Sequence, residues 1–396
     1  MTKLSLCMIV KDEEKTLPYC LGSVRNVVDE MVVLDTGSGD RTAKIAQQFG
    51  AQVYDFVWCN DFSAARNAAL QHVTGDWVLV LDADETLQRE VAPLLRHTIE
   101  QEEYLLINLV RHEVGAVQSP YSLVSRLFRR HPDISFSRPY HALVDDSVGE
   151  ILQQEPHWQI GYIEQVAIAH TGYQKGIITG QDKYTKAQAA MEEFLSKNPH
   201  DPYVCSKLGA LYIETGKLPL GVELLARGVA TAEDNYEILY ELYYHLGIAY
   251  SRLQNPNQAI AHYQAAIKLP IYPMLKLGAY NNLGNILKAN GDLTGAKTAY
   301  ETAIKIDPNF ATGHYNLGMT FKAMNLFTEA ISAYQKAIKF NPQYPEAYQN
   351  LGVVLLKIGN VTDSLTAFGH AIVLHEKYNP DEAKRLRQGL REMGLI

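Results

Sequence analysis

The sequence predicts two architectures in one chain. The first is an α/β domain on a mostly parallel, Rossmann-like sheet with added mixed strands, and the second an all-α solenoid of helix pairs. Three observations carry this reading. Nearly continuous apolar runs alternate with helical stretches over the first hundred residues, and a Leu-Gly dipeptide recurs five times in the second half. The length, 396 residues, also exceeds what one ordinary domain holds. At 47% hydrophobic and 20% charged, the chain is not of a disordered or low-complexity class. Its 36 Lys and Arg against 44 Asp and Glu leave a net charge of −8. That balance argues against nucleic acid or an anionic membrane as partner, since both need clustered cations. Tyrosine is in excess, with 24 against 11 Phe and 3 Trp.

Leu4–Val10, Met31–Asp35, Gln52–Phe56 and Trp77–Asp82 read as buried strands, because a strand covered on both faces is apolar without alternation. Glu13–Val27, Arg41–Phe49 and Phe62–His72 carry helical spacing between them, which is the βαβ rhythm of a parallel sheet. From about residue 104 to 173 the rhythm changes. Tyr104–Arg111, Leu123–Arg129 and Gln159–Thr171 read as strands without regular helices between them. No apolar run is long enough to span a membrane, and the first residues do not read as a secretory signal. Cys7, Cys20, Cys59 and Cys205 form no pairing motif, so a reducing, cytoplasmic setting is expected.

The Leu-Gly glycines are Gly209, Gly247, Gly284, Gly318 and Gly352, spaced by 38, 37, 34 and 34 residues. Twelve residues after each of the last four comes Ala259, Ala296, Ala330 or Ser364. Four further on stands Tyr263, Tyr300, Tyr334 or Phe368, and three beyond that Ala266, Ala303, Ala337 or Ala371. Small residues at these offsets let paired helices approach, while the aromatic fills the layer between them. The pattern resembles tetratricopeptide repeats, five units over about 200–380. The first unit departs, with Gly221, Leu225 and Gly228, as an end repeat would. The expected domains are 1–175, a helical linker at 176–200, and repeats with a capping helix at 201–396. Such stacks form grooves that receive peptides. Asn281, Asn285, Asn316 and Asn350 are the groove candidates, since an amide meets an extended backbone through donor and acceptor together. Tyr243, Tyr280, His314 and Tyr348 fall at a helix-packing offset. A peptide or protein partner is expected, or self-association as a homo-oligomer through the same surface.

Chemistry centres on Asp82-Ala83-Asp84-Glu85 at a strand exit. Ligands of parallel sheets gather at the carboxyl ends of strands, and two carboxylates there repel unless a cation or hydroxyl groups satisfy them. Oxygen donors two residues apart suit Mg²⁺ or Mn²⁺; a polar exit with capping carboxylates is the alternative. Five ordered blocks surround the motif: CMIVKDEE (7–14), VVLDTGSGDRT (32–42), NDFSAARNAAL (60–70), GDWVLVLDADE (75–85) and AHTGY (169–173). Together they resemble family 2 glycosyltransferases over residues 3–175. The nearest subgroup includes lipopolysaccharide-core glycosyltransferases and sublancin-type peptide S-glycosyltransferases.

The resemblance implies a GT-A fold, a nucleotide-sugar donor such as a UDP-sugar, a divalent cation, and an inverting transfer. It implies that Val10 and Glu13 border the nucleotide, that Asp35 accepts a hydrogen bond from the base, and that Arg66 and Asn67 lie under the nucleotide. Asp82 would contact the ribose or the metal's water, Asp84 would ligate the cation, and His170 would be a further ligand. Inverting transfer needs a base near the acceptor. Related enzymes read His-Glu where this chain has His141-Ala142, so His141, Asp145 and Asp146 are the base candidates. Arg126, Arg129 and Arg130 offer phosphate contacts or a solvated face. Two rival classes follow. One is an inactive transferase serving as a repeat scaffold, motivated by Ala142 alone. The other is a nucleotidyltransferase, disfavoured because Cys7–Glu14 has no glycine for a phosphate loop.

Overall fold

The computed structural model describes residues 2–116, 119–140, 142–172, 181–233 and 235–396. Two compact units divide the chain, the first reaching Val204 and the second beginning at Cys205.

In the first unit the strands are β1 (Leu4–Val10), β2 (Glu30–Asp35), β3 (Gln52–Asp55), β4 (Trp77–Val80), β5 (Glu85–Leu87), β6 (Tyr104–Glu113), β7 (Tyr121–Arg129) and β8 (Gln159–His170). Its helices are α1 (Leu17–Val24), α2 (Thr42–Gln48), α3 (Phe62–Leu70), α4 (Ala92–Thr98), α5 (Asp145–Gln154) and α6 (Gln181–Lys197). One eight-stranded sheet runs in the order β3-β2-β1-β4-β7-β6-β8-β5. β3, β2, β1 and β4 are mutually parallel, whereas β7 is antiparallel to both β4 and β6. β8 then runs parallel to β6, and β5 closes antiparallel to β8.

The continuous apolar text of β1 has a direct reading here. Leu4, Leu6, Met8 and Val10 enter one core with α1, α2 and α4, while Cys7 enters the other with α3 and α5. Three layers result, and alternate residues of one strand serve both interfaces. β2 leaves β1 on one side and β4 lies on the other, so the connection reverses beside β1. The carboxyl ends of β1, β2 and β4 therefore bound the crevice where open α/β sheets bind ligands. The helices are shorter than their periodic text, α1 starting only at Leu17 after a turn over residues 14–16. The short β5, directly after Asp84, was not foreseen.

The second unit holds α7 (Pro202–Glu214), α8 (Leu218–Thr231), α9 (Tyr236–Arg252), α10 (Pro256–Lys268), α11 (Leu277–Ala289) and α12 (Leu293–Ile306). It continues with α13 (Ala311–Ala323), α14 (Phe327–Phe340), α15 (Pro345–Lys357), α16 (Val361–Tyr378) and α17 (Pro380–Glu392). α7–α16 make five helix pairs, and α17 packs Ala383 and Leu390 onto Phe368 and Ile372 of the last pair. Four of the five repeat glycines are notches for an aromatic ring, and Gly209 is one for Leu225. A Cβ placed at Gly247, Gly284, Gly318 or Gly352 would stand 2.5, 2.6, 2.7 or 3.0 Å from Tyr263, Tyr300, Tyr334 or Phe368 respectively. Tyr263, Tyr300 and Tyr334 are thereby almost fully buried, which accounts for part of the tyrosine excess. The turn inside each pair also repeats. Gly216, Gly291 and Gly359 take positive φ there, and Gln254 and Asn325 take the same left-handed conformation with a side chain, φ 56° and 61°. No helix among the described residues is long and apolar enough to cross a membrane.

These contacts give two opposite expectations for urea unfolding. Gly318→Ala should lower stability by about 1–3 kcal/mol by forcing a methyl group against Tyr334. Gln254→Gly should raise it by up to about 1 kcal/mol by removing a Cβ from a left-handed position.

Candidate active site

The loops after β1 and β2 close on each other. Asp12 donates its N–H to the Ser38 hydroxyl and accepts from Gly39 N at 2.7 Å, while Glu13 N donates to Thr42 Oγ1 at 2.7 Å. Val10 contributes its carbonyl, which accepts from Thr36 N and Thr36 Oγ1. Glu13 accepts from the Thr16 hydroxyl, and Glu14 pairs with Arg41. Asp35 is buried at the end of β2. Its Oδ1 takes three donors of the following turn, Gly37 N, Ser38 N and Ser38 Oγ, and no partner of Oδ2 stands among the described residues.

From Arg66 a chain of opposite charges crosses the sheet. Arg66 Nη2 lies 2.7 Å from Asp82 Oδ1, with the guanidinium over the Phe136 ring, and Arg126 Nη2 lies 2.8 Å from Asp82 Oδ2. Arg126 also stands 4.0 Å from Glu85, which is fully buried and bound by Arg111 at 2.8 Å. Arg111 pairs in turn with Glu113 at 2.8 Å, and Ser122 donates to the same carboxylate oxygen. Glu113 Oε2 lies 2.5 Å from His170 Nδ1, and His170 Nε2 lies 3.1 Å from Asp84 Oδ2. Thr171 donates twice to the Asp84 carbonyl.

The electrostatics follow from these neighbours. Burial opposes the charged form of Asp82, but Arg126 and then Arg66 outweigh it and hold the carboxyl well below the usual range. Burial likewise opposes the charge on Glu113, and His170, Arg111 and Ser122 bring its carboxyl down to about 2. His170 is desolvated too, yet Asp84 and Glu113 together push its imidazole up to about 9. One donor is left over: Nη1 of Arg126 is buried with no hydrogen-bond partner among the described residues.

The residues expected from the sequence sort into three groups. Asp35, Arg66, Asp82, Asp84 and His170 stand at the strand ends. Asp82, however, has both carboxylate oxygens held by arginine, so in this arrangement it has no free oxygen for a cation. Asn67 clamps the backbone of Phe136 in both directions, at 2.9 and 2.7 Å, and so braces the segment that carries the base candidates. Asp145 and Asp146 open α5, where the helix dipole favours acids. Asp146 is held by Arg138 at 2.5 Å and by Ser137, while Arg138 also binds Asp201. Asp145 reaches solvent, but protein crowding holds its carboxyl above the usual range, partly offset by the Ser125 hydroxyl at 2.8 Å. His141 lies outside the described residues.

Of the basic set only Arg130 is exposed. Arg126 is in the network, Arg129 stacks on Trp77 and Trp158, and Arg130 donates to Gly75 O. Among the groove candidates, Asn281 and Asn316 are buried and bonded to each other across repeats at 2.8 Å, so they act as struts between helices. Asn285 accepts from Tyr300, and Asn350 bonds Tyr315 and Lys322. Arg111 and Glu113 were missed in the sequence, and Glu85 was named only as part of the acidic motif. Their signal was there in Arg111 and Glu113, two charges two residues apart and so on one face of an otherwise apolar strand.

The fit to a divalent cation can be judged on the donors. Among the described residues no three His, Cys, Asp or Glu side chains converge on one point in metal-binding geometry. Asp84 and His170 supply two oxygen and nitrogen donors, and the backbone at Gly172 lies close against them. A Cβ there would stand 2.5 Å from His170 Nε2 and 2.8 Å from Asp84 Oδ2. The pair therefore fits a cation whose other ligands come from a substrate.

Comparison with known proteins agrees with both units. Residues 5–161 match the family model Glycosyl transferase family 2. Residues 240–269 match the Tetratricopeptide repeat model, and 284–325 and 320–359 match the TPR repeat model. A TPR repeat-containing protein of Synechococcus elongatus is 44% identical over 308 residues, 78% of this chain and 76% of that one. An uncharacterized glycosyltransferase of Rickettsia felis is 27% identical over 48% of this chain and 70% of its own length. The glycosyltransferase SunS of Bacillus phage SPbeta is 26% identical over 49% of this chain and 46% of its own.

The raised His170 imidazole sets a pH dependence. A folded pKa of about 9 above the ordinary 6.5 means that stabilisation is complete below pH 6.5 and is lost as pH rises through 9. Unfolding free energy should fall across that window by at most about 3 kcal/mol, and His170→Gln should flatten the profile in urea titrations. Glu113 acts at the other end, where stabilisation present above pH 4.5 is lost on acidification toward 2.

Proposed function

This chain belongs to the tetratricopeptide-repeat proteins that carry a family 2 glycosyltransferase domain at the N-terminus, and we propose that it moves a sugar from a nucleotide-sugar donor to an acceptor with inversion. The carrying observation is the Asp82 site, where two arginines hold one carboxylate at the switch point of the sheet and one buried guanidinium nitrogen stays unpaired. A buried N–H without a partner is costly, and a diphosphate oxygen would satisfy Nη1 of Arg126 and gain a charge-assisted hydrogen bond. Val10 and Glu13 would border the nucleotide. Asp35 would accept a base N–H at Oδ2, which suits the uracil of a UDP-sugar, while Oδ1 keeps the turn closed.

Asp84 and His170 would hold Mn²⁺ or Mg²⁺, which when bound offsets the charge of the departing nucleoside diphosphate. Glu113 supports this role of His170. With Nδ1 committed to Glu113, the imidazole has a fixed orientation and keeps Nε2 for the site. Asp145 is the better base of the described pair. Its carboxyl, held above the usual carboxylate range, takes a proton more readily than an ordinary one, as removal of the acceptor proton requires. Asp146 would instead anchor the loop through Arg138, and Asn67 would keep that loop in register. The intact charge network speaks against a scaffold that has lost its chemistry. The acceptor we favour is a peptide or protein held by the repeats.

Three measurements test this reading. Nucleoside diphosphates should raise the melting temperature further with Mn²⁺ than without it, and Asp84→Asn should remove the increment; no response to any of them would sink the proposal. Asp145→Asn should lower turnover by 10²-fold or more, the usual worth of a general base. Asp146→Asn should cost stability more than rate, and equal loss of rate in both would reassign the base.

A further inference from the structure

The first helices of the last three repeats each carry a lysine in the last turn. Lys288 lies in the last turn of α11, Lys322 in that of α13 and Lys357 in that of α15, 34 and 35 residues apart. A cation at a helix C-terminus is favoured by the exposed carbonyls, which accounts for each lysine singly. Their neighbourhood is another matter. α11 packs on α13 and α13 on α15, so the solenoid brings the three into one row. Burial and then the charge of Lys322 hold the Lys288 amine below its ordinary range, and burial and then Lys357 do the same to Lys322.

None of the three pairs with a carboxylate among the described residues, in a chain with eight more acids than bases. Lys207 and Lys297 of the same solenoid do, on Glu241 and Glu301. The row has neutral company instead. Lys322 Nζ donates to Asn350 Oδ1 at 2.6 Å, Lys288 stands 6.0 Å from the Tyr300 ring, and Lys357 stands 4.6 Å from Phe327. Asn285, bonded to Tyr300, lies along the same edge. Gathering like charges without counter-ions costs free energy that an anionic partner would return.

We propose that Lys288, Lys322 and Lys357 form the docking row for an acidic peptide segment in extended conformation. The inference rests on the reading of the repeats as a peptide-holding surface and adds charge and spacing to it. Packed helices stand about 8–10 Å apart. An extended peptide advances about 3.3 Å per residue. An acidic residue at every third position therefore meets successive lysines, with the Asn285 amide N–H beside it for the peptide backbone.

The test is fluorescence anisotropy with the full chain and a labelled ten-residue peptide carrying Glu at every third position among Gly and Ser. A peptide with Gln in place of Glu is the comparison. The Glu peptide should bind at least tenfold tighter, weaken from 50 to 300 mM salt, and lose tenfold in affinity to Lys288→Gln/Lys322→Gln. Lys297→Gln should leave binding unchanged, and circular dichroism with melting temperature checks that both variants fold. Equal binding of the two peptides would overturn the charge proposal while leaving the repeats as a peptide surface. Binding of neither would overturn both. If the double variant changes the mass by light scattering and not the peptide affinity, the row is an interface between copies, and the proposal falls.

Discussion

A buried row of alternating charges organises the first unit. It runs from Arg66 through Asp82, Arg126, Glu85, Arg111 and Glu113 to His170 and Asp84, and it crosses β4, β5, β6, β7 and β8. Taking any one of these charges out of water alone would cost several kcal/mol, and a partner of opposite sign offsets that only with close geometry. Each interior member has a partner on both sides. Asp82 and Asp84 are two residues apart in sequence yet sit at opposite ends of the row. One is saturated by arginine and the other faces a histidine.

This arrangement separates two tasks that a short acidic motif would otherwise confuse. Asp82 is an anchor that orients two guanidinium groups toward the strand ends. Asp84 is the carboxylate left to share a proton, or a cation, with His170. Glu113 stands behind the histidine and settles which ring nitrogen faces the site. Glu85, Arg111, Glu113, Arg126 and His170 of this row lie on strands, and groups held by strands keep their geometry better than groups on loops.

The second unit is held by a different rule, shape in place of charge. A glycine in the first helix of each of the last four pairs admits an aromatic ring from the second, and small residues beside it bring the helices close. Repetition then has a side effect. Any residue type that recurs at one offset becomes a row, whether an asparagine strut such as Asn281 with Asn316 or a line of lysines. Nearest-neighbour stacking converts sequence period into surface pattern.

Much of this was legible in the sequence because it is local. β1 was read to the residue, since a seven-residue run that is apolar except at Ser5 has few other uses, and the repeats were read from offsets that one helix pair determines by itself. The Asp82 to Glu85 block was legible as a strand exit, yet β5 was not, because a three-residue strand exists only through its pairing with β8. Arg126 read as a phosphate contact or part of a solvated face and is a half-buried partner of Asp82. Asn281 read as a groove residue and is interior. In both cases the side chain's role is set by a residue 35 or more positions away, and no period or propensity encodes such a meeting. By itself, then, the sequence determined the two architectures, the repeat register and the location of the acidic site, all of which follow from local patterning. Only the tertiary structure decided which charges pair, which carboxylate stays available and which lysines stand together, because electrostatic energy depends on distance in space and not along the chain.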